Sequence, residues 1–178
     1  LGDSELVIRH LIATRGVDPD RDLSETQKAI GLTLRRSFEE HFHQVLEYAL
    51  WVLDDGWQQA QVHFDSVLPR FLSPVLKPMI RKQCRRELQI RGLGRHGVEE
   101  IASMAADDLR AASVLLGDNP YFLGAEPTTT DATMYGFLVA AHGAPIDYFA
   151  KQALVRHDNL VAYCARMTAR FWPELAGR

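Results

Sequence analysis

The sequence predicts an all-α fold, and three observations carry that prediction. Apolar residues recur three and four positions apart in almost every segment. No run of segments shows the period-two alternation of half-buried strands. Glycine and proline fall between the periodic segments, where helices start and stop.

Taken in order, the first element is a short helix that Asp3 and Ser4 can cap. Leu6, Val7, Leu11 and Ile12 form its apolar stripe, and Gly16 can end it. The stretch from Gly16 to Leu23 is rich in Asp, Gly and Pro and reads as a linker. A long helix is expected from about Ser24 to Asp55, opened by a Ser24/Gln27 capping box and stopped by Gly56. Its stripes, Leu34-Phe38-Phe42-Val45-Ala49-Val52 and Leu46-Leu50-Leu53, are adjacent, so much of it should be buried. Pro69, Pro74 and Pro78 should break the next region, leaving a short helix near Trp57–Ser66 and an irregular crossing. Pro78 suits the first turn of a helix from Met79 to Arg91, which Gly92 would end.

The helix from about Gly97 to Leu116 has the cleanest amphipathic pattern: Val98, Ile101, Ala105, Leu109, Ala112 and Leu116. After a loop from Asn119 to Pro127 comes an almost wholly apolar helix, Ala132 to about Ala141, which should be surrounded by the others. Thr128 and Asp131 can form a capping box at its start, where buried donors need partners. A short helix near Tyr148–Val155 follows. A last one runs from Asp158 to Phe171, with Leu160, Val161, Cys164, Met167 and Phe171 expected inward.

A chain of 178 residues suffices for one substantial domain, and 47% hydrophobic with 24% charged residues is the balance of a soluble globular protein. A formal net charge of -3 argues against a dedicated nucleic-acid binder, though not against a local basic patch. No run is long enough for a membrane span, and no leader opens the chain. Cys84 and Cys164 are far apart and form no metal-binding pair. They read as two buried thiols in a reducing, cytoplasmic compartment. No internal repeat or low-complexity tract is evident.

Two segments carry a resemblance. Gly117-Asp-Asn-Pro-Tyr-Phe-Leu-Gly-Ala-Glu-Pro-Thr-Thr-Thr-Asp-Ala132 resembles the approach to the central helix in the C-terminal domain of glutathione transferases. Asp158-Asn-Leu-Val-Ala-Tyr-Cys-Ala-Arg-Met167, ending in Phe171-Trp-Pro-Glu174, is similar to the branch holding the Failed axon connections proteins and the metaxins. Arg91-Gly-Leu-Gly-Arg-His96 with Glu99-Glu100 fits that branch too. The likeness covers about Leu1 to Glu174.

The resemblance implies a glutathione-transferase C-terminal-type bundle around a central buried helix, over residues 24–178. Residues 1–15 would be the end of a largely absent thioredoxin-like domain, and residues 16–23 the linker. The chain starts with Leu1, which fits a partial sequence. In glutathione-binding relatives an acidic or amide residue followed by Ser holds the γ-glutamyl end of the tripeptide, and Asp3-Ser4 match that pair. The alternative is that these two residues only cap a helix.

The thiolate-stabilising Tyr, Ser or Cys belongs to the early part of the thioredoxin-like domain, so no catalytic residue is named here. The long helix would line the pocket for a small electrophile, with Phe38, His41, Val45, Tyr48 and Trp51 as candidates. For Phe38 and Val45, core packing is the favoured reading. His41 and His43 beside Glu39 and Glu40 point in different directions on a helix and suggest no metal site.

Arg81, Lys82, Arg85, Arg86 and Arg91 form either a solvated face or a surface for an acidic partner, a membrane or an anionic substrate. Arg95 and His96 can fix a turn or meet a ligand. The implied function is glutathione conjugation or glutathione-dependent reduction, with glutathione as co-substrate and a homodimer as the working unit. The alternatives are a non-catalytic module of the metaxin or Failed axon connections kind, or a plain helical interaction domain.

Overall fold

The computed structural model describes residues 4–67, 69 and 71–175, apart from the side chains of Ser4 and Val67. Among these the fold is helical. No strand forms, and Tyr121 and Gly124 make an isolated antiparallel bridge within a loop. The helices are α1 (Ser4–Arg15), α2 (Glu25–Ser37), α3 (His43–Trp51), α4 (Asp54–Val67), α5 (Ser73–Arg91), α6 (Val98–Leu116), α7 (Thr129–Gly143), α8 (Phe149–Leu154) and α9 (Asp158–Phe171). Short 3-10 turns occupy Leu93–Arg95 and Pro173–Leu175.

The long helix starts as its sequence requires. The Gln27 amide N–H donates to the Ser24 hydroxyl, and the Ser24 N–H donates back to the Gln27 side chain. It does not run to Asp55. A π turn over Phe38–Phe42 joins α2 to α3, and the helix ends at Trp51. Phe38 and Phe42 of the π turn and Val45 of α3 face the core, all fully buried.

Gly56, expected as a stop, lies inside α4. It is needed for closeness instead. A Cβ there would sit 1.9 Å from the Ala49 carbonyl oxygen of α3. Pro78 also sits elsewhere than expected. It is interior to α5, which begins five residues earlier with Pro74 in its first turn. Gly92 and Gly117 do end their helices, at positive φ of 109° and 55°.

The core follows the α6 stripe. Ile101, Ala105, Leu109, Ala112 and Leu116 are each 0% exposed, while Val98, in the first turn, faces solvent. Around it pack α8 and α9, and α7 packs against α2, α8, α9 and the π turn. Along α9, Leu160, Cys164 and Met167 are buried as expected, together with Tyr163. Phe171 is not: it is exposed, and its neighbour Trp172 stacks on Tyr135 of α7 at 5.0 Å.

The start of α7 is sealed by carboxylates. Asp131 is fully buried. One of its oxygens accepts the Phe122 N–H at 2.9 Å, and the other accepts both the N–H and the hydroxyl of Thr128 at 2.8 Å. The Tyr163 hydroxyl donates to the Asp131 carbonyl. Asp20, in the linker, accepts the Thr129 N–H at 2.8 Å and the Thr129 hydroxyl. The two carboxylates thus supply acceptors for N–H groups at the start of α7 that would otherwise be left unpaired.

The expectation that α7 is covered all round needs correction. Met134, Tyr135, Leu138 and Ala141 are buried, but Ala132, Gly136 and Ala140 are exposed. The exposed positions are the small ones. Alanine and glycine read as apolar in a sequence yet bring little area to bury, so one side of an apolar helix can stay open.

Replacing Asp131 with Ala strands two backbone N–H groups and a hydroxyl. It should cost about 3–5 kcal/mol in urea unfolding. Asp20→Ala should cost less, about 1–2 kcal/mol, as for a lost cap. A loss below about 1 kcal/mol for Asp131→Ala would contradict this account of the cap. Gly56→Ala should cost about 1–3 kcal/mol, because the obstructing atoms are backbone and cannot swing aside.

Candidate functional site

The open side of α7 forms the floor of a furrow. Its central cavity, about 520 Å³, is lined by Ile8 of α1, Glu39 of the π turn, His43 and Leu46 of α3, and Ala132, Gly136, Phe137 and Ala140 of α7. A second cavity of about 350 Å³ shares Ile8 and Ala132 and reaches Arg15, Pro19 and Thr129. A third, about 170 Å³, shares Leu46 and Ala140 and reaches Pro145 and Tyr148. The three lie in series along one helix face.

The local sequence explains the shape. Residues 132, 136 and 140 follow a four-residue step, so their missing bulk lines up in one groove. A Cβ added at Gly136 would meet nothing within 4 Å. The opposite wall comes from Glu39, His43 and Leu46, one position on from the buried Phe38, Phe42 and Val45. His43 meets the ring of Phe137 edge-on at 6.1 Å, and Glu39 pairs with Arg36 at 3.1 Å.

The furrow is thus mostly apolar with a few polar groups, the character of a small-molecule site. Glu39, His43 and Thr133 belong to its central cavity and Arg15 to its α1 end. Among the described residues no group of three or more His, Cys, Asp or Glu is placed to hold a metal ion.

The residues expected to line a substrate pocket are spread over other surroundings. Phe38 is fully buried against Phe42 and Phe137. Tyr48 is buried in the core. Trp51 joins Trp57 and Phe64 in an aromatic cluster between α3 and α4. His41 turns toward α6, where its Nδ1 lies 2.6 Å from the Asp108 carboxylate. Burial raises the Asp108 carboxyl above the ordinary aspartate value, against the opposing pull of the His41 contact.

None of these four lines the furrow; Glu39, His43 and the α7 stripe do. The available signal was the pairing of a charged 39-43 step with an Ala-Gly-Ala step at 132-136-140. Asp3 and the side chain of Ser4 lie outside the described residues.

α1 approaches the bundle through Glu5, which pairs with Arg35 of α2. Burial opposes the Glu5 charge, but the Arg35 and Arg9 guanidiniums outweigh it and hold the carboxyl below the usual range. Val7 and Leu11, on the expected apolar stripe, are exposed, and Leu6 is also largely accessible.

Residues 1–57 match the family described as glutathione S-transferase N-terminal domain, and residues 105–167 match glutathione S-transferase, C-terminal domain. The N-terminal match therefore runs through α1, the linker, α2 and α3, all without strands among the described residues.

The chain is 28% identical to isoprene-epoxide–glutathione S-transferase of Rhodococcus sp. (strain AD45), over 96% of this chain and 73% of that protein. It is 27% identical to Metaxin-1 of Bos taurus, over 94% of this chain and 55% of the relative. It is 31% identical to Failed axon connections of Drosophila melanogaster, over 52% of this chain and 23% of the relative. No solved structure matches. With residues 1–57 matched by an N-terminal and residues 105–167 by a C-terminal glutathione S-transferase domain, and an all-helical bundle to go with them, the chain belongs to the glutathione S-transferase superfamily.

Proposed function

We propose that the protein is a glutathione transferase whose furrow along α7 takes a small apolar electrophile. The observation that carries this reading is the open Ala132-Gly136-Ala140 floor, facing α1 and walled by Glu39 and His43. A cavity of about 520 Å³ suits a small molecule, and its lining is mainly aliphatic. The similarity to an isoprene-epoxide transferase suggests an epoxide as the test electrophile.

In that reaction the glutathione thiolate attacks one epoxide carbon. A C–S bond forms, the C–O bond breaks, and the oxygen leaves as an alkoxide that must take up a proton. His43, whose ring lines the furrow, is the group placed to give it. The γ-glutamyl end of glutathione would meet Asp3 and Ser4 at the start of α1. The thiolate-stabilising group would belong to a thioredoxin-like domain ending at about residue 15. A homodimer and a cytoplasmic, reducing setting are part of the same proposal.

The protein's own thiols do not fit a nucleophilic role. Burial pushes the Cys164 thiol up to about 12. Burial, then the Glu87 and Glu47 carboxylates, also raises the Cys84 thiol. Thiolate is the reactive form, and neither site favours it. A non-catalytic module of the metaxin kind is the rival reading, supported by comparable identity to Metaxin-1 along 94% of the chain.

The experiment is a glutathione-consumption assay with isoprene monoxide, on protein that carries the thioredoxin-like domain ending at about residue 15. Turnover above the uncatalysed rate is expected, and Gly136→Leu should lower kcat/KM by about tenfold or more by filling the furrow. That variant should keep its Tm, because the position is open and Leu favours a helix more than Gly. His43→Gln should lower kcat more than it changes KM. No turnover, or full activity in Gly136→Leu, rejects the furrow as the electrophile site. Separately, a thiol-labelling reagent at about pH 7.5 should leave Cys164 unmodified in the native protein and modify it after denaturation. Rapid native labelling of Cys164 would contradict its burial.

A further inference from the structure

Away from the furrow, and sharing no residue with it, a groove of about 740 Å³ lies between α4 and α5. Its walls carry Lys77, Arg81, Lys82, Arg85 and Arg86, with the indole of Trp57 and the amides of Gln61 and Gln89 beside them. The chain as a whole is acidic, with a formal net charge of -3, so this is a local reversal of sign. The carboxylates that reach these cations are Asp54, on Arg81, and Asp65, on Lys77. Among the described residues, Arg85, Lys82 and Arg86 make no ion pair.

Part of the cluster has a structural explanation. Arg81 donates to the Trp51 and Val52 carbonyls at 3.0 Å, and its guanidinium lies 5.1 Å from the Trp57 ring centre. Arg85 donates to the Val52 carbonyl at 2.8 Å. These two cations close the C-terminal end of α3, where carbonyls lack helical partners. Lys82 and Arg86 have no such task. They are exposed and four residues apart on one helix; the half-buried Lys77 and Arg81, and Arg81 and the exposed Arg85, repeat that step. Like charges at that step repel. An anion in the groove would turn that repulsion into shared attraction.

We propose that the α4–α5 groove is a binding site for a phosphate-bearing ligand. Two guanidiniums already fixed by backbone carbonyls present charge without the entropy cost of ordering long side chains. Lys82 and Arg86 supply the exposed flank. Trp57 offers a flat apolar surface for a ring attached to the phosphate. The phosphate can come from a soluble molecule or from a lipid headgroup, and the chemistry of the groove is common to both.

The test is calorimetric titration of the full chain with inorganic pyrophosphate at low ionic strength. It is paired with co-sedimentation on phosphatidylcholine vesicles doped with phosphatidic acid. Saturable pyrophosphate binding is expected, weakened by about tenfold or more in a Lys82→Glu/Arg86→Glu variant. A Lys28→Glu/Arg110→Glu variant makes the same charge change on α2 and α6 and should bind as the parent does. Both variants alter exposed residues, and circular dichroism confirms that each is folded. Vesicle binding that the groove variant loses supports the site and points to a headgroup. Pyrophosphate binding without vesicle binding supports the site and points to a soluble ligand. Absence of binding in both arms, or equal weakening by the two variants, overturns the proposal. Neither outcome bears on the furrow reading, whose residues are separate.

Discussion

The buried carboxylate of Asp131 is the constraint on which most of this fold depends. A fully buried carboxylate is costly unless nearly every lone pair is used. Here its oxygens bind the Phe122 amide and both donors of Thr128, so the loop before α7 has one way to lie. The backbone carbonyl of the same residue holds the Tyr163 hydroxyl, which locks α9 beside α7. Burial raises the Tyr163 hydroxyl pKa further, so it stays a donor throughout the accessible pH range. One residue thereby fixes a loop, a helix start and a helix pair.

The same cap decides where the furrow lies. Asp20 binds Thr129, two residues before Asp131, and this ties the linker to the start of α7. The linker brings Val17 and Pro19 against Thr128 and Thr129, and with them the end of α1. Gln27 adds a bond from α2 to the Leu123 carbonyl at 2.8 Å. Gly31 lets α2 come so near that a Cβ would lie 2.5 Å from the Thr130 hydroxyl oxygen. The two walls of the furrow are thus held to its floor by contacts at the helix's N-terminal end, which leaves the stripe beyond it open.

Much of the fold was legible because its signals are local. The capping boxes at Ser24 and Thr128, the α6 stripe and the terminal glycines Gly92 and Gly117 each depend on a few neighbouring residues. What the sequence hid is non-local. Gly56 reads as a helix stop, yet its role is set by the Ala49 carbonyl of another helix. The π turn leaves no mark on a three-and-four pattern, since Phe38, Phe42 and Val45 fit that pattern with or without it. Phe38, His41, Tyr48 and Trp51 carry the aromatic or imidazole chemistry that marks a pocket candidate in a sequence. Burial claims the large aromatics first, which is why Phe38 and Tyr48 went to the core. The furrow is made by what is small, and a side chain that is absent gives no chemical signal in the sequence.

The two concavities also differ in what their residues are needed for. Along α7 the lining is permissive: alanine and glycine at 132, 136 and 140 stabilise nothing by being small, and larger residues would have covered the helix at a gain in buried area. Beside α5 the reverse holds for Arg81 and Arg85, since Arg81 pairs the Trp51 carbonyl at the end of α3 and the two guanidiniums share the Val52 carbonyl. Packing therefore accounts for two of the cations in that groove. It does not account for the exposed Lys82 and Arg86 beside them, or for the missing bulk on α7. Where stability alone would favour a different residue, the choice points to something outside the chain.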